Sequence, residues 1–280
     1  MSIHPGGRRL LDDPQVRLGL GLVIALYGVA LLAPLLTPYD PTAQLDLQNG
    51  RLLGPSSAHP LGTDGFSRDL LSRLVYGARF SLTIAGLAVA VTIVIGTGVG
   101  LVAGYVGGLV DAVLMRVVDA ALAVPRVFLL MMVLVFWEHT SATALILVLG
   151  LTGWFVTSRV VRAEVLSVRQ RDYVVAARAL GLPAARILTR HVLPNVAAPI
   201  IVTATLGVGN ILLIEAGLSF LGLGAPPPLP SWGSMIIDGH DYLATRPWLS
   251  IVPGAALVIT VLAFNVLGEG LRRALQPRTS

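Results

Sequence analysis

The chain contains no cysteine and no lysine. Without cysteine there are no disulfides, no thiolate metal sites, no Cys nucleophile and no lipid attachment through Cys. Without lysine there is no Schiff-base chemistry. A phosphate-binding Walker A loop needs Lys, so this chain cannot act as a P-loop ATPase by itself. Charge is scarce as well: 12% of the 280 residues are charged while 55% are hydrophobic. That charged share is about half the roughly 25% of a soluble domain. Such a chain has too little polar surface to face water, and this points to a protein that crosses a membrane several times.

A membrane span needs about 20 apolar residues. Six stretches meet that need: 18–36, 80–103, 117–137, 142–161, 196–216 and 249–267. The predicted fold is all-α and polytopic, with six transmembrane helices. The first stretch follows Arg8, Arg9 and Arg17 as a signal peptide would, but its apolar core is too long and no small-residue cleavage site follows. It reads as an uncleaved span. The domain reading is a tail and first span over 1–36, an external loop over 37–79, and a five-span core over 80–280 that contains a loop at 162–195.

All 20 basic residues are arginine, and their placement orients the bundle. With the N-terminus cytoplasmic, the inner pieces carry Arg8, Arg9, Arg17, Arg116, Arg162, Arg169, Arg171, Arg178, Arg186, Arg190, Arg272, Arg273 and Arg278. The outer pieces carry Arg51, Arg68, Arg73, Arg79 and Arg246, with Asp40, Asp46, Asp64 and Asp69 close by. Both termini and the 162–195 loop are therefore expected on the cytoplasmic side.

That loop reads RAEVLSVRQRDYVVAARALGLPAARILTRHVLPN. Tyr173, Ala176, Ala177 and Leu180 recur at helical spacing. Gly181 supplies a left-handed stop and Pro183 opens a second helix. Arg186 and Arg190 share one face of that helix, and Leu193-Pro194-Asn195 is expected to end it. Positive-inside ballast explains the arginines but not the small-residue face. A DNA-reading helix-turn-helix does not suit a loop tethered at both ends to spans. A docking knob explains both features: Ala176, Ala177 and Gly181 let a partner approach the backbone, and the arginines fix register.

At this point the loop resembles the EAA loop of ABC-importer permeases, a Glu-Ala-Ala, three residues, Gly pattern closing on Leu-Pro. Here it stands as Val175-Ala176-Ala177-x-x-x-Gly181, ending His191-Val192-Leu193-Pro194-Asn195. The flanks Asp172-Tyr173 and Arg178-Ala179-Leu180-Gly181 are similar to the C-type subunit of the dipeptide/oligopeptide/nickel branch. Further blocks run along the chain in the same order: His59-Pro60-Leu61-Gly62-Thr63-Asp64, Ser67-Arg68-Asp69, Gly77 to Leu82, Gly104 to Gly108, and Leu218 to Gly224 with Pro230-Ser231-Trp232-Gly233. Val175 stands where the pattern has Glu, which removes an ion pair and leaves the close-approach face intact.

The resemblance implies a transmembrane subunit of an ATP-driven, binding-protein-dependent importer in a bacterial inner membrane. The loop would be a coupling helix seated in an ATPase, its contact residues Asp172, Tyr173, Ala176, Ala177, Arg178, Gly181, Arg186, Arg190, His191 and Pro194. Its implied partners are a homologous second permease, two cytoplasmic ATPases and an extracytoplasmic binding protein. ATP and Mg²⁺ would belong to the ATPases, with no cofactor in this chain. Peptides are the expected substrate, with nickel or another small solute as the alternative.

Other features carry two readings each. Gly96, Gly100, Gly104 and Gly108 repeat every four residues, for contact with a second permease or for packing within this one. Arg126 stands roughly 14 Å into the third span at about 1.5 Å per residue; it lines the path or snorkels to headgroups. Glu215 lines the path or pairs inside the bundle. Asp64, Arg68, Asp69 and Trp232 are candidate contacts for the binding protein, or belong to solvated connectors. The run Ala225–Pro230 reads as a polyproline II spacer. Catalysis has no support: His4, His59, His139, His191 and His240 are scattered, with no metal-binding or nucleophile spacing. The rivals from other classes are an ion-driven secondary transporter, which calls for an inverted repeat that is not found, and a non-transporting scaffold or sensor.

Overall fold

The computed structural model describes residues 10–136 and 141–275. Arg8, Arg9, Arg278, His4, His139 and the Trp137 end of the third span lie outside them. After a short 3₁₀ turn at Leu10–Asp12, the helices in chain order are α1 Pro14–Leu31, α2 Ala33–Leu36, α3 Leu70–Val106, α4 Gly108–Leu122, α5 Arg126–Val135 and α6 Ala142–Val168. They continue as α7 Asp172–Ala179, α8 Ala184–Ile187, α9 Leu193–Phe220, α10 Trp232–His240 and α11 Trp248–Leu275. Among the described residues, five helices are long and apolar enough to cross a membrane: α1, α3, α6, α11 and the stretch that ends in α9. The bent pair α4–α5 raises the number to six if it forms one span.

The third span is therefore not one helix. It breaks at 123–125 with a bend of 82°, because Pro125 has no N–H to continue the ladder and disfavours helical backbone before it. Arg126 opens α5 instead of sitting mid-helix. The second span starts ten residues before its apolar run. Asp69 caps α3 by accepting the Ser72 N–H at 2.7 Å, and ion pairs bury Arg73 in the first turn. Hydropathy misses this turn because it counts arginines as polar without seeing their partners.

Two cores hold the chain. The larger gathers α1, α3, α5, α6, α9, α10 and α11 around Leu82, Leu145, Leu149, Leu212 and Trp232. The smaller lies at the opposite end of α6, around Val161, Val165 and Val168. Lipid tails are as apolar as Leu, so association of spans rests on close packing and hydrogen bonds. The glycine series shows how. A Cβ on Gly96 would lie 2.6 Å from Thr157 Cβ, one on Gly100 2.7 Å from the Ser158 carbonyl, and one on Gly104 2.8 Å from Val165 Cβ. From the other side, a Cβ on Gly150 of α6 would lie 2.7 Å from Val91 Cβ. Gly96, Gly100 and Gly104 thus serve packing of α3 on α6 within this subunit. Gly108 sits outside the series, with φ of 57° and nothing within 4 Å of the position a Cβ would take.

Segment 37–69 folds on itself rather than trailing in solvent. Leu52 N–H bonds to the Asp64 carbonyl, Thr63 N–H to Leu53 and Asp64 N–H to Arg68, at 3.0–3.1 Å. Arg246 donates back to the Leu52 carbonyl at 3.2 Å. The Thr42 hydroxyl and amide hold the Asp40 carboxyl below its usual range. The proline run is a turn, closed by Leu229 N–H on the Pro226 carbonyl at 3.1 Å, and not an extended spacer.

Gly100→Leu is expected to destabilise the fold by about 1–3 kcal/mol or more, since overpacking meets a backbone carbonyl that cannot turn aside. Gly98→Leu in the same helix, with no atom within 4 Å of its Cβ position, should leave stability near wild type. The melting temperature and the monodisperse fraction of both variants in detergent check this.

Candidate functional site

The candidate site is the α7–α8 segment at the end of the bundle where α3 finishes and α9 begins. Sequence chemistry sets its geometry. α7 stops in a Schellman arrangement: Leu182 N–H bonds to the Ala177 carbonyl at 3.2 Å and Gly181 N–H to the Arg178 carbonyl at 3.0 Å. Gly181 takes φ of 74°, the left-handed backbone that glycine adopts without strain. Pro183 precedes α8, as its fixed φ favours. The second helix does not end at Leu193-Pro194-Asn195. After α8 the backbone passes through a π turn at Leu188–Val192 directly into α9. Pro194 falls in the first turn of α9, where a missing N–H costs little. Asn195 donates to the His191 carbonyl at 2.7 Å across this junction.

Val174, Ala177, Ile187 and Val192 are buried and pack with Val161, Val165, Val168 and Val196. Ala177 therefore faces the chain's own core. The outward face is built from Tyr173, Val175, Ala176 and Leu180, of which Leu180 is 80% exposed. Asp172, Arg178, Gly181, Arg186, Arg190 and Pro194 are exposed around it, and His191 is half-buried. The expected close-approach trio thus divides: Ala176 and Gly181 face out, Ala177 faces in. Two α7 residues adjacent in sequence point about 100° apart, and only the valines of α6 decide which one turns inward.

The arginines around this site have partners within the chain. Arg162 grips Asp111 with two bonds, at 2.5 and 2.6 Å, and Arg159 pairs with Asp119, so α4 is tied to α6 twice. Arg169 donates to the Gly104 carbonyl at 2.8 Å, and Arg178 stacks over the Tyr105 ring at 5.3 Å. These contacts fix α7 on the end of α3 while Arg186 and Arg190 remain exposed.

The remaining candidates lie elsewhere. Arg126 reaches sideways to α6, its Nη2 donating to the Leu149 carbonyl at 2.8 Å and its Nε to Thr152 Oγ1 at 3.4 Å. One backbone carbonyl and one hydroxyl thus bind it in place of a carboxylate, and backbone carbonyls are a usual partner for a cation within a bundle. Glu215 is 1% exposed and accepts from Ser219 Oγ at 3.0 Å. Its Oε1 is thus bonded within the bundle, while its Oε2 has no partner among the described residues.

The four external candidates are largely buried in the subunit's own packing. Asp64 accepts from Arg68 Nε at 2.7 Å, Asp69 pairs with His59 at 2.9 Å, and Trp232 donates to the Leu74 carbonyl at 3.1 Å. The sequence reading missed the hub of this cluster. Arg73 and Arg68 both donate to Asp238 Oδ2, at 3.0 and 3.1 Å. The i, i+4 spacing of Asp64 with Arg68 signalled a pair; no sequence signal joins Arg73 to Asp238 across 165 positions.

Comparison with known proteins decides the family. Residues 96–280 match the family described as binding-protein-dependent transport system inner membrane component. This chain belongs to that family. Residues 7–55 also match the N-terminal transmembrane domain of oligopeptide transport permease C. The permease is 41% identical to a dipeptide transport system permease protein of Alkalihalophilus pseudofirmus, over 97% of this chain and 88% of the relative. It is 36% identical to a dipeptide transport system permease protein of Haemophilus influenzae, over 93% and 90%. Its fold resembles the MetNI methionine ABC transporter in inward-facing conformations, with a TM-score of 0.60 and 19% identity, over 74% of this chain and 98% of the solved one. The protein is thus a multi-span membrane subunit of a transport system and not an enzyme.

Gly181→Ala forces a Cβ into left-handed backbone at a cost of roughly 1–2 kcal/mol. Amide hydrogen exchange in 172–182 of this permease should rise about 5- to 30-fold, with α3 and α6 unchanged. Equal protection in both proteins would show that the cap does not hold α7.

Proposed function

We propose that this permease forms half of the pore of an ATP-driven importer for di- or oligopeptides delivered by an external binding protein. The curated relatives are named as dipeptide or peptide permeases, which supports the substrate class. The N- and C-termini and α7–α8 lie on the cytoplasmic side of a bacterial inner membrane, in keeping with the arginine asymmetry. A homologous second permease completes the pore, and two ATPases, which hold ATP and Mg²⁺, grip α7 of each half. Residues 1–36 form the tail and first span, 37–79 the external segment with its last turns helical, and 80–280 the core with its coupling loop at 162–195.

One observation carries the reading. α7 is clamped from behind by Val174 and Ala177 while Tyr173, Ala176 and Leu180 stand out from the protein. A helix that faces outward with small and apolar groups, on a rigid base ringed by arginines, suits a protein cleft better than water or lipid. Asp172, Arg178, Arg186, Arg190, His191 and Pro194 form the rim of that contact. ATP binding closes the ATPases, moves α7, and tilts the spans to open the pore outward; hydrolysis and product release reset it. Arg126, Glu215 and the external Asp64, Arg68, Asp69 and Trp232 act in this scheme by holding helices in place as they move.

Leu180→Asp places a charge on the outward face without touching the core. The variant should reach the membrane at wild-type level, lose more than tenfold of dipeptide uptake, and no longer co-purify with the ATPases. Wild-type uptake by this variant would sink the coupling role of α7.

A further inference from the structure

At the end of the bundle away from α7, a cavity of about 250 Å³ opens between the 37–69 segment, the start of α3, α10 and the proline turn. Its polar lining is Arg68, Arg73, Asp238, Ser234 and Gln44; its apolar lining is Phe66 with the prolines and Leu229 of the turn. Arg68 and Arg73 meet on one oxygen, Asp238 Oδ2. Behind them Asp64 Oδ2 takes Arg68 Nε at 2.7 Å and lies 3.4 Å from Arg73 Nε. Asp64 Oδ1 accepts the amides of Phe66 and Arg68, so Asp64 is saturated.

Two groups are not. Arg73 is 2% exposed, and its Nη1 has no hydrogen-bond partner among the described residues. The Asp238 side chain is one-third exposed, and its Oδ1 accepts nothing among them. A buried polar group left unpaired is costly, but Arg73 Nη1 is closed to solvent and Arg73 also borders a separate void of about 10 Å³; the groups that a ligand in the larger cavity can reach are Asp238 and Arg68. The cluster holds two arginines and two aspartates, so its formal charge is zero. A neutral site does not favour a lone anion, and guanidinium groups repel a metal cation. It does favour a molecule that carries one charge of each sign. Small-molecule pockets run from roughly 300 to 1,000 Å³, so this one suits a single small solute. The prolines offer no N–H, which leaves charge as the means of recognition and the solute's side chains little discriminated.

We propose that this cavity binds the two charged ends of a short free peptide, its carboxylate on Arg68, with Arg73 behind it, and its ammonium on Asp238. The assignment rests on the peptide reading above and adds to it a binding station within the permease itself, separate from the external binding protein.

Equilibrium dialysis of the intact detergent-purified transporter, prepared without its binding protein, tests the site. The ligands are radiolabelled dialanine, N-acetyl-dialanine and dialanine amide. Dialanine should bind saturably and at least tenfold more tightly than either blocked form. Asp238→Asn should abolish the preference over the N-acetyl form and keep that over the amide. The wild-type series needs no variant, and gel filtration confirms that Asp238→Asn stays folded. Absent binding, equal binding of the three ligands, or an unchanged preference in Asp238→Asn overturns the site. Dialanine uptake by cells carrying the complete importer reports separately on the peptide function. Uptake without end-group preference in dialysis removes the site alone, whereas absent uptake removes the peptide reading.

Discussion

Everything in this permease hangs on how closely α3 and α6 approach. Between apolar helices in lipid there is no water to expel, so attraction comes from contact alone. Glycines at 96, 100, 104 and 150 bring backbone against backbone. The other long helices gather round this pair: α9 lies against both, and α1 and α11 close the bundle. Gly19 of α1 and Gly270 of α11 repeat the device, their Cβ positions 2.6 Å from Leu267 N and 2.8 Å from Val16 N.

Apart from Arg126, which bonds to α6 within the bundle, the ion pairs gather at the two ends and are used differently at each. At the α7 end, Arg159, Arg162 and Arg169 tie α4 and α3 to α6, so the loop rests on a fixed platform. At the other end, Arg68 and Arg73 bridge the 37–69 segment to α10 through Asp238. Because the chain has arginine and no lysine, these contacts are made by planar guanidinium groups that can serve more than one acceptor.

Much of this was legible in the chain. Long apolar runs located five spans, since hydropathy measures the very property that lets a helix cross lipid. The Gly181-Leu182-Pro183 stop was legible because only glycine takes that backbone easily. Pro125 signalled the break in the third span, but the apolar run continued across it and hid the bend. The direction of Ala177 was not legible, because Ala176 and Ala177 are chemically identical and α6 chooses between them. Nor was the burial of Arg68 and Arg73, whose shared acid comes from α10. Local patterns encode helices and caps; partners brought together by the fold leave no local mark.

The π turn at Leu188–Val192 leaves no loose link between α8 and α9. α9 has 28 residues, about 42 Å at 1.5 Å each, and its far end carries Glu215, hydrogen-bonded to Ser219 against the α10 cap. The ladder is interrupted at one place, where Pro199 stands inside α9 without an N–H to donate. The chain thus runs as helix from α8 to the end of α9 at the α10 cap, and Pro199, about a turn and a half into α9, is the point at which the two ends can bend relative to each other.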